Sequence, residues 1–224
     1  MAAGFFITGT DTNVGKTWVT VALMRKLKQL ALCVAGMKPV ASGCYWRQGK
    51  LVNSDALMIL ENSDFLPDYC QVNPYAFELA LSPHIARGHQ EIQFSLIQAA
   101  FTELQAKADI VVVEGAGGWL SPFTTALDNA GLAERLQLPV ILVVGMRLGC
   151  INHARLTYQA ICQSTVPCAG WVAVQLEPEM PGLTANLEYL QQSLNIPFLG
   201  SMPHLSAPDF DYLAARLKSV ESLI

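Results

Sequence analysis

Lys16 and Thr17 close the run Thr8-Gly9-Thr10-Asp11-Thr12-Asn13-Val14-Gly15-Lys16-Thr17, and their types and spacing suit a polyphosphate. A lysine at the end of a glycine-bearing loop brings a mobile charge to terminal phosphates, and the hydroxyl after it suits the magnesium that accompanies them. The apolar run at 4–7 lies before this loop and a helix-like stretch follows from Trp18. That order aims backbone N–H groups and the positive end of a helix at one anion. The usual pattern keeps four residues between its two glycines, which points to Thr10, whereas Gly9 stands one position early. Glu114 ends the apolar run Val111-Val112-Val113, the arrangement that holds magnesium opposite a loop hydroxyl; alone it also reads as a strand-end acid paired with a lysine. Asp55, after Asn53-Ser54, reads either as part of an N-cap or as a second metal carboxylate. Lys38 emerges from a buried run just before Pro39, as a surface lysine or as a site cation. Gly149-Cys150-Ile151-Asn152 opens a helix and is either an ordinary capped start or a further anion site suited to a carboxylate.

These residues need a scaffold that gathers them. Buried strand-like runs at 4–8, 33–39, 110–114, 140–145, 170–175 and 198–202 alternate with helical patterns at 17–30, 94–106, 130–136, 152–163, 184–194 and 212–223. The alternation predicts an α/β fold of P-loop NTPase type, a single domain over 1–224 with a mostly parallel central sheet covered by helices on both faces. Asp109, Pro139, Pro167 and Pro197 mark the turns into strands. Ligands of open parallel sheets bind outside the carboxyl ends of the strands. That rule selects the phosphate loop, Lys38, the segment Glu114-Gly115-Ala116-Gly117-Gly118, residues 147–152, Val174-Gln175 and Pro203-His204-Leu205. Residues 41–90 resist the pattern, with a polar loop, a short helix near 55–60 and an irregular proline-bearing run that is expected to cover or line the site.

Composition narrows the function. The 224 residues are 52% hydrophobic and only 14% charged, which suits a heavily buried sheet and a subunit interface. A net charge of −4 with no basic run gives no footprint for nucleic acid. No segment reaches the roughly 18 apolar residues of a membrane span, and the short N-terminal run has no basic start, so neither a span nor a removable signal is expected. Cys33, Cys44, Cys70, Cys150, Cys162 and Cys168 form no Cys-x-x-Cys pair, which suits a reducing, cytoplasmic setting. His84, His89 and His153 lack ligand spacing for zinc.

Several runs together resemble the dethiobiotin synthetases. They are 9–17, Lys38-Pro39-Val40-Ala41-Ser42-Gly43, Asn53-Ser54-Asp55-Ala56, Val72-Asn73-Pro74-Tyr75, Ser82-Pro83-His84, Glu114-Gly115-Ala116-Gly117-Gly118-Trp119 and Leu148-Gly149-Cys150-Ile151-Asn152-His153, in order from residue 5 to about 173. The early Gly9 is that family's own variant of the loop. The resemblance implies ATP-dependent ring closure in biotin synthesis: 7,8-diaminopelargonic acid, carbon dioxide and ATP give dethiobiotin, ADP and phosphate. It implies magnesium on Thr17, Asp55 and Glu114, with Lys16 and Lys38 bracketing the γ-phosphate and carbamate. Thr12 and Ser42 would hold the amine end. Nucleotide contacts would come from Asn13, Val14, Gly15, Lys16, Thr17, Trp18, Glu114, Gly115, Ala116 and Gly117, and base contacts from Val174, Gln175, Pro203, His204 and Leu205. It further implies a homodimer in which the substrate carboxylate rests on Cys150, Ile151 and Asn152 of the partner subunit, with Tyr189 adding its hydroxyl.

The chain departs from the family after residue 173. Val174-Gln175 stands where an Asn-Asp pair is usual, His204 where Trp is frequent, and Asn13 where the loop sometimes has an acid. Asn suits adenine because its amide both donates and accepts, and Val174 does neither. Either Gln175 takes over the reading of the base or base selectivity is relaxed, and a weaker preference for ATP over other nucleoside triphosphates is expected. The rival readings are a P-loop ATPase switch, which usually has a second lysine that positions 9–14 lack, and a small-molecule kinase, which leaves Lys38 and the second anion site unexplained.

Overall fold

The buried apolar runs become strands because they have no polar face to give to water. The computed structural model describes residues 4–224; residues 1–3, which the one-domain reading includes, lie outside the described residues. In chain order the first half holds β1 (Gly4–Gly9), α1 (Lys16–Gln29), β2 (Val34–Met37), β3 (Val40–Ser42), β4 (Tyr45–Arg47), β5 (Lys50–Val52), α2 (Ser54–Glu61), α3 (Tyr69–Val72), β6 (Tyr75–Phe77) and α4 (Pro83–Ala86). The second holds α5 (Phe94–Gln105), β7 (Ile110–Gly118), α6 (Asn129–Leu136), β8 (Val140–Met146), α7 (Cys150–Ile161), β9 (Cys168–Gln175), α8 (Leu183–Ser193), β10 (Phe198–Met202) and α9 (Phe210–Arg216).

The central sheet has six strands in the order β10-β9-β8-β1-β7-β2, and every ladder in it is parallel. The order reverses at β1, so the crevice for a ligand opens at that strand's carboxyl end. Alternation of side chains along each strand fills two cores. Phe6, Val111, Val113 and Leu142 face Ile97, Leu104, Leu132 and Ala154 on one side. Phe5, Ile7, Val112 and Val143 face Val19, Leu23, Met24 and Leu213 on the other. The prolines at the turns start the ladders: the Pro139, Pro167 and Pro197 carbonyls accept from Phe6, Val140 and Trp171 N–H groups.

Three expectations are corrected. The strand expected at 110–114 runs on to Gly118, where it pairs with Gly9 after a register irregularity, so Glu114 lies within the strand and not at its end. Residues 41–90 are more regular than expected. They hold the parallel pair β3–β6 and the hairpin β4–β5, which turns through Gln48 and Gly49 at φ 51° and 75°. The helix expected at 212–223 stops at Arg216, and a short 3-10 turn follows at Val220–Leu223. It stops because Leu217 turns extended and Lys218 N–H donates to the Leu199 carbonyl at 2.7 Å.

Candidate active site

At the end of β1 the chain must turn sharply into α1, and it does so through Asn13 and Gly15, both left-handed at φ 57° and 87°. Gly9 is required where it stands: a Cβ there would lie 2.6 Å from Val14 Cγ2 and 3.2 Å from Lys16 Cδ. The loop rests on the neighbouring strands, with Thr10 Oγ1 accepting from Gly145 N–H. Asp11 braces it, accepting from Thr12 N–H at 2.7 Å and pairing with Arg147 at 2.5 Å. Lys16 Nζ donates to the Asp11 carbonyl at 2.7 Å. Burial pushes the Lys16 ammonium down to about 8, with Lys38 nearby adding to the effect and Glu114 opposing it.

Across the cleft, Lys38 is the centre of a charged cluster. Its Nζ donates to Asp55 Oδ2 at 2.8 Å and to Glu114 Oε1 at 2.5 Å, and Thr17 Oγ1 donates to the same Glu114 oxygen at 3.0 Å. Burial alone would lower the Lys38 pKa, but Glu114 and Asp55 more than offset it and raise it. The backbone of Lys38 is clamped on both sides, its N–H donating to Val72 and its carbonyl accepting from Asn73 Nδ2 at 2.6 Å. Asn53 caps α2 by accepting from Asp55 and Ala56 N–H groups, which sets Asp55 on the first turn. Tyr69 ties the two clamps together, accepting from Asn53 N–H and donating to Asn73 Oδ1.

Glu114 Oε2 and Ser42 Oγ are buried without a hydrogen-bond partner among the described residues. Orphaned buried oxygens of this kind call for a ligand or an ion. No group of three or more His, Cys, Asp or Glu side chains converges as a metal cage among the described residues. Two carboxylates and a hydroxyl facing an open cleft fit magnesium, which takes few protein ligands and shares the rest with phosphates and water.

The cleft encloses about 730 Å³ and brings together Thr12, Asn13, Gly15, Lys16, Thr17, Trp18, Lys38, Ser42, Asp55, Glu114, Ala116 and Gly117. Asn53, Ala80, Leu81, Ser82, Pro83 and Ser121 complete its walls, so the 41–90 segment does line it. Val14 is buried beneath the loop, and Gly115 turns inward toward Asn129. Val174 packs on Gly15, Gln175 ends β9, and Pro203, His204 and Leu205 follow the end of β10. Cys150, Ile151, Asn152 and Tyr189 are not among the residues that line this cleft; Asn152 lines a separate crevice between α7 and α8, and the Tyr189 hydroxyl accepts from Arg155.

Two functional positions were missed as individuals. Arg147, inside the selected segment 147–152, holds the phosphate loop from 136 positions away. Asn129, fully buried, accepts from Ala116 N–H and donates to the Ala116 and Gly118 carbonyls, shaping the loop after Glu114. Its position beside the α6 cap was the only signal in the sequence.

A family model described as an AAA domain matches residues 3–209. Among curated proteins, the ATP-dependent dethiobiotin synthetase BioD of Xylella fastidiosa strain 9a5c is 45% identical over 219 residues, 96% of each chain. That of Xanthomonas campestris pv. campestris strain B100 is 43% identical over 97% of this chain and 98% of its own. That of Aromatoleum aromaticum is 44% identical over 96% of each. Among solved structures, a ParA family ATPase from Chlorobium tepidum superposes with a TM-score of 0.54 at 12% identity, over 99% of this chain and 93% of that one. The MinC:MinD cell division complex of Aquifex aeolicus gives 0.55 at 16% identity, over 95% and 85%. At such identities the solved structures speak for the fold alone.

Proposed function

The chain belongs to the ATP-dependent dethiobiotin synthetase family, and from that premise we propose that it closes the ureido ring of dethiobiotin. The substrates are 7,8-diaminopelargonic acid, carbon dioxide and ATP; the other products are ADP and phosphate. The observation that carries the site assignment is the convergence of Lys16, Thr17, Lys38, Asp55 and Glu114 on one cleft. The enzyme acts as one domain over 1–224, in the cytoplasm, as a homodimer, with neither nucleic acid nor membrane as partner.

Thr17, Asp55 and Glu114 hold magnesium in this reading, and the orphaned Glu114 Oε2 supports it. When bound, the ion neutralises charge on the transferred phosphoryl group. Lys16 reaches the terminal phosphates from the loop. Lys38, held protonated by Glu114 and Asp55, serves as a fixed cation facing the carbamate and not as a proton acceptor. Thr12 and Ser42 orient the amine end, Ser42 with a hydroxyl that has no other partner. Carbamate formation consumes a neutral amine, whereas an alkylammonium titrates near ~10. Cations beside the amine favour the deprotonated and then anionic form. The carbamate oxygen takes the γ-phosphoryl group, the second amine attacks the carbonyl carbon, and phosphate leaves as the ring closes. Cys150, Ile151 and Asn152 of the partner subunit receive the distant carboxylate, aided by Tyr189.

The test is direct. Purified protein with ATP, magnesium, bicarbonate and the diamine is expected to yield dethiobiotin by mass spectrometry, with one ADP per product. ATP hydrolysis or phosphorylated diamine without ring closure would favour a switch or a kinase instead.

A further inference from the structure

We propose that Ser82 and His84 form a proton relay: Ser82 is a catalytic residue that takes the proton lost by the diamine's nitrogen, and His84 is the acceptor behind it that passes the proton to solvent. The inference rests on the ring-closing reading above.

Ring closure sheds protons, and the other ionisable groups of the cleft are engaged. A nitrogen that attacks carbon carries excess positive charge until it loses a proton, and in that reading this happens twice, at the carbamate and at the closing of the ring. The ionisable side chains among the described residues that line the cleft are Lys16, Lys38, Asp55 and Glu114. Lys38 is held protonated between Asp55 and Glu114, and those two acids are taken up by it and by the magnesium assigned to them. Lys16 donates to the Asp11 carbonyl and is assigned to phosphate.

The wall beside Ser42 supplies another acceptor. Gly43 N–H donates to the Leu79 carbonyl at 3.1 Å, and a Cβ on Gly43 would lie 3.4 Å from Ala80 Cβ. Residues 80–83 therefore join the cleft on the side of Ser42, whose buried hydroxyl has no partner. Ser82 stands at the N-cap of α4, where a serine hydroxyl ordinarily accepts from the first free N–H groups. Here it makes no such bond, and the Ser82 carbonyl carries the turn by accepting from Ile85 and Ala86 N–H groups at 2.8 and 2.9 Å. The hydroxyl is given to His84 instead, with Oγ 2.8 Å from Nδ1. His84 is exposed and is not among the residues that line the cleft, so the pair reaches from the cleft wall to water.

With the ring neutral and its proton on Nε2, Ser82 Oγ–H donates to Nδ1 and keeps its lone pairs for the cleft. The amine nitrogen bonds to the carbon of carbon dioxide, one C=O bond opens to C–O−, and the nitrogen holds one proton too many. Ser82 Oγ takes that proton while its own passes to His84 Nδ1. The imidazolium gives one proton to the surrounding water and returns to the Nε2–H form. The relay is restored, and the balance is carbamate plus a solvated proton. The same path serves the second nitrogen as phosphate leaves. Histidine is the side chain most often placed to take a proton in a transition state.

The test is chemical rescue in the dethiobiotin assay, at saturating ATP, magnesium, bicarbonate and diamine. His84→Ala is expected to lower kcat roughly 10²-fold, with KM for the diamine and ADP affinity little changed. Added imidazole should raise the variant's rate on the order of tenfold, because the place of the ring is open to water, whereas pyrazole, of the same shape but a far weaker base, should not. Ser82→Ala should lose as much and gain nothing from imidazole, since its acceptor is present and its link to the cleft is gone. A loss in His84→Ala that imidazole leaves unrelieved would make His84 structural only and overturn the relay, as would a Ser82→Ala enzyme at full rate. The parent reading fails separately: no dethiobiotin from the wild-type protein would remove both, while dethiobiotin formed equally fast by wild type and His84→Ala would remove the relay alone.

Discussion

Lys38 lies between two carboxylates, within 2.8 Å of Asp55 and 2.5 Å of Glu114, and Glu114 is almost wholly buried. Replacing it with methionine removes the cation and leaves the acids facing each other. Breaking a buried pair in this way costs roughly 3–5 kcal/mol, less here because Asp55 is partly exposed. Lys38→Met is therefore expected to lower the melting temperature of the metal-free protein. Millimolar magnesium should restore more of it than in the wild type, because a dication then meets the carboxylates without a competing ammonium. Equal magnesium responses in calorimetric melts would count against this. The cysteines give a second prediction at this scale. Burial pushes the Cys168 thiol up to about 12, and the thiolate is the nucleophile. Iodoacetamide at pH 8 should thus label the exposed Cys70 and spare Cys168, whose reactivity should appear only as the pH approaches its raised value. Mass mapping of labelled peptides decides it. Lys16, Lys38 and Glu114 were legible in the sequence because each has a telling type beside a strand. Arg147 and Asn129 were not, because their roles arise from partners that only the folded sheet brings near.

The elements that carry this site were legible wherever a run was buried on both faces, and less so at their ends. The hairpin β4–β5 was missed because its strands are short and largely exposed, and its turn uses Gln48-Gly49 in place of the Asn-Gly that announces a two-residue turn. The apolar spacing continues past Arg216 and so predicts a longer last helix than the backbone contact there allows. Gly200 makes that contact possible. It adopts φ 142°, and a Cβ on it would lie 2.2 Å from the Arg216 carbonyl oxygen. Gly200→Ala must either push α9 off β10 or distort the strand. It should destabilise the protein by about 2–4 kcal/mol, as a small-to-large change with backbone strain does. Urea denaturation measures this, and a change under ~0.5 kcal/mol would show that the α9–β10 contact yields readily. Nucleotide affinity in the folded fraction should be unaltered, because Gly200 lies below the strand ends that face the cleft.

At the scale of the whole molecule, the carboxylate site proposed at the start of α7 and the main cleft share no lining residue within one chain. Cys150, Ile151 and Asn152 are absent from the walls of the main cleft, yet a diamine acid needs partners at both ends. The proposed homodimer would resolve this, and the surface beside α7 suits a second copy. Leu148 is fully exposed, Leu156 and Tyr189 are 58% and 43% exposed, and a crevice of about 510 Å³ runs between Asn152, Arg155, Leu156, Tyr158, Gln159, Cys162 and Ser193. Solvent-facing leucines on a helix that opens a candidate binding site are a sign of interface more than of packing. Leu156→Glu puts a charge on that face in both subunits without touching the phosphate loop. Sedimentation should then shift from a dimer toward the 24.3 kDa monomer. ADP binding should persist, because Lys16, Thr17 and Glu114 all belong to one chain. Dethiobiotin formation should fall at least tenfold, mostly through a raised KM for the diamine, because the carboxylate contact proposed for the partner would be lost. A wild-type protein that sediments as a monomer while forming dethiobiotin at full rate would place the whole substrate site within one subunit, and the start of α7 would then be an ordinary capped helix.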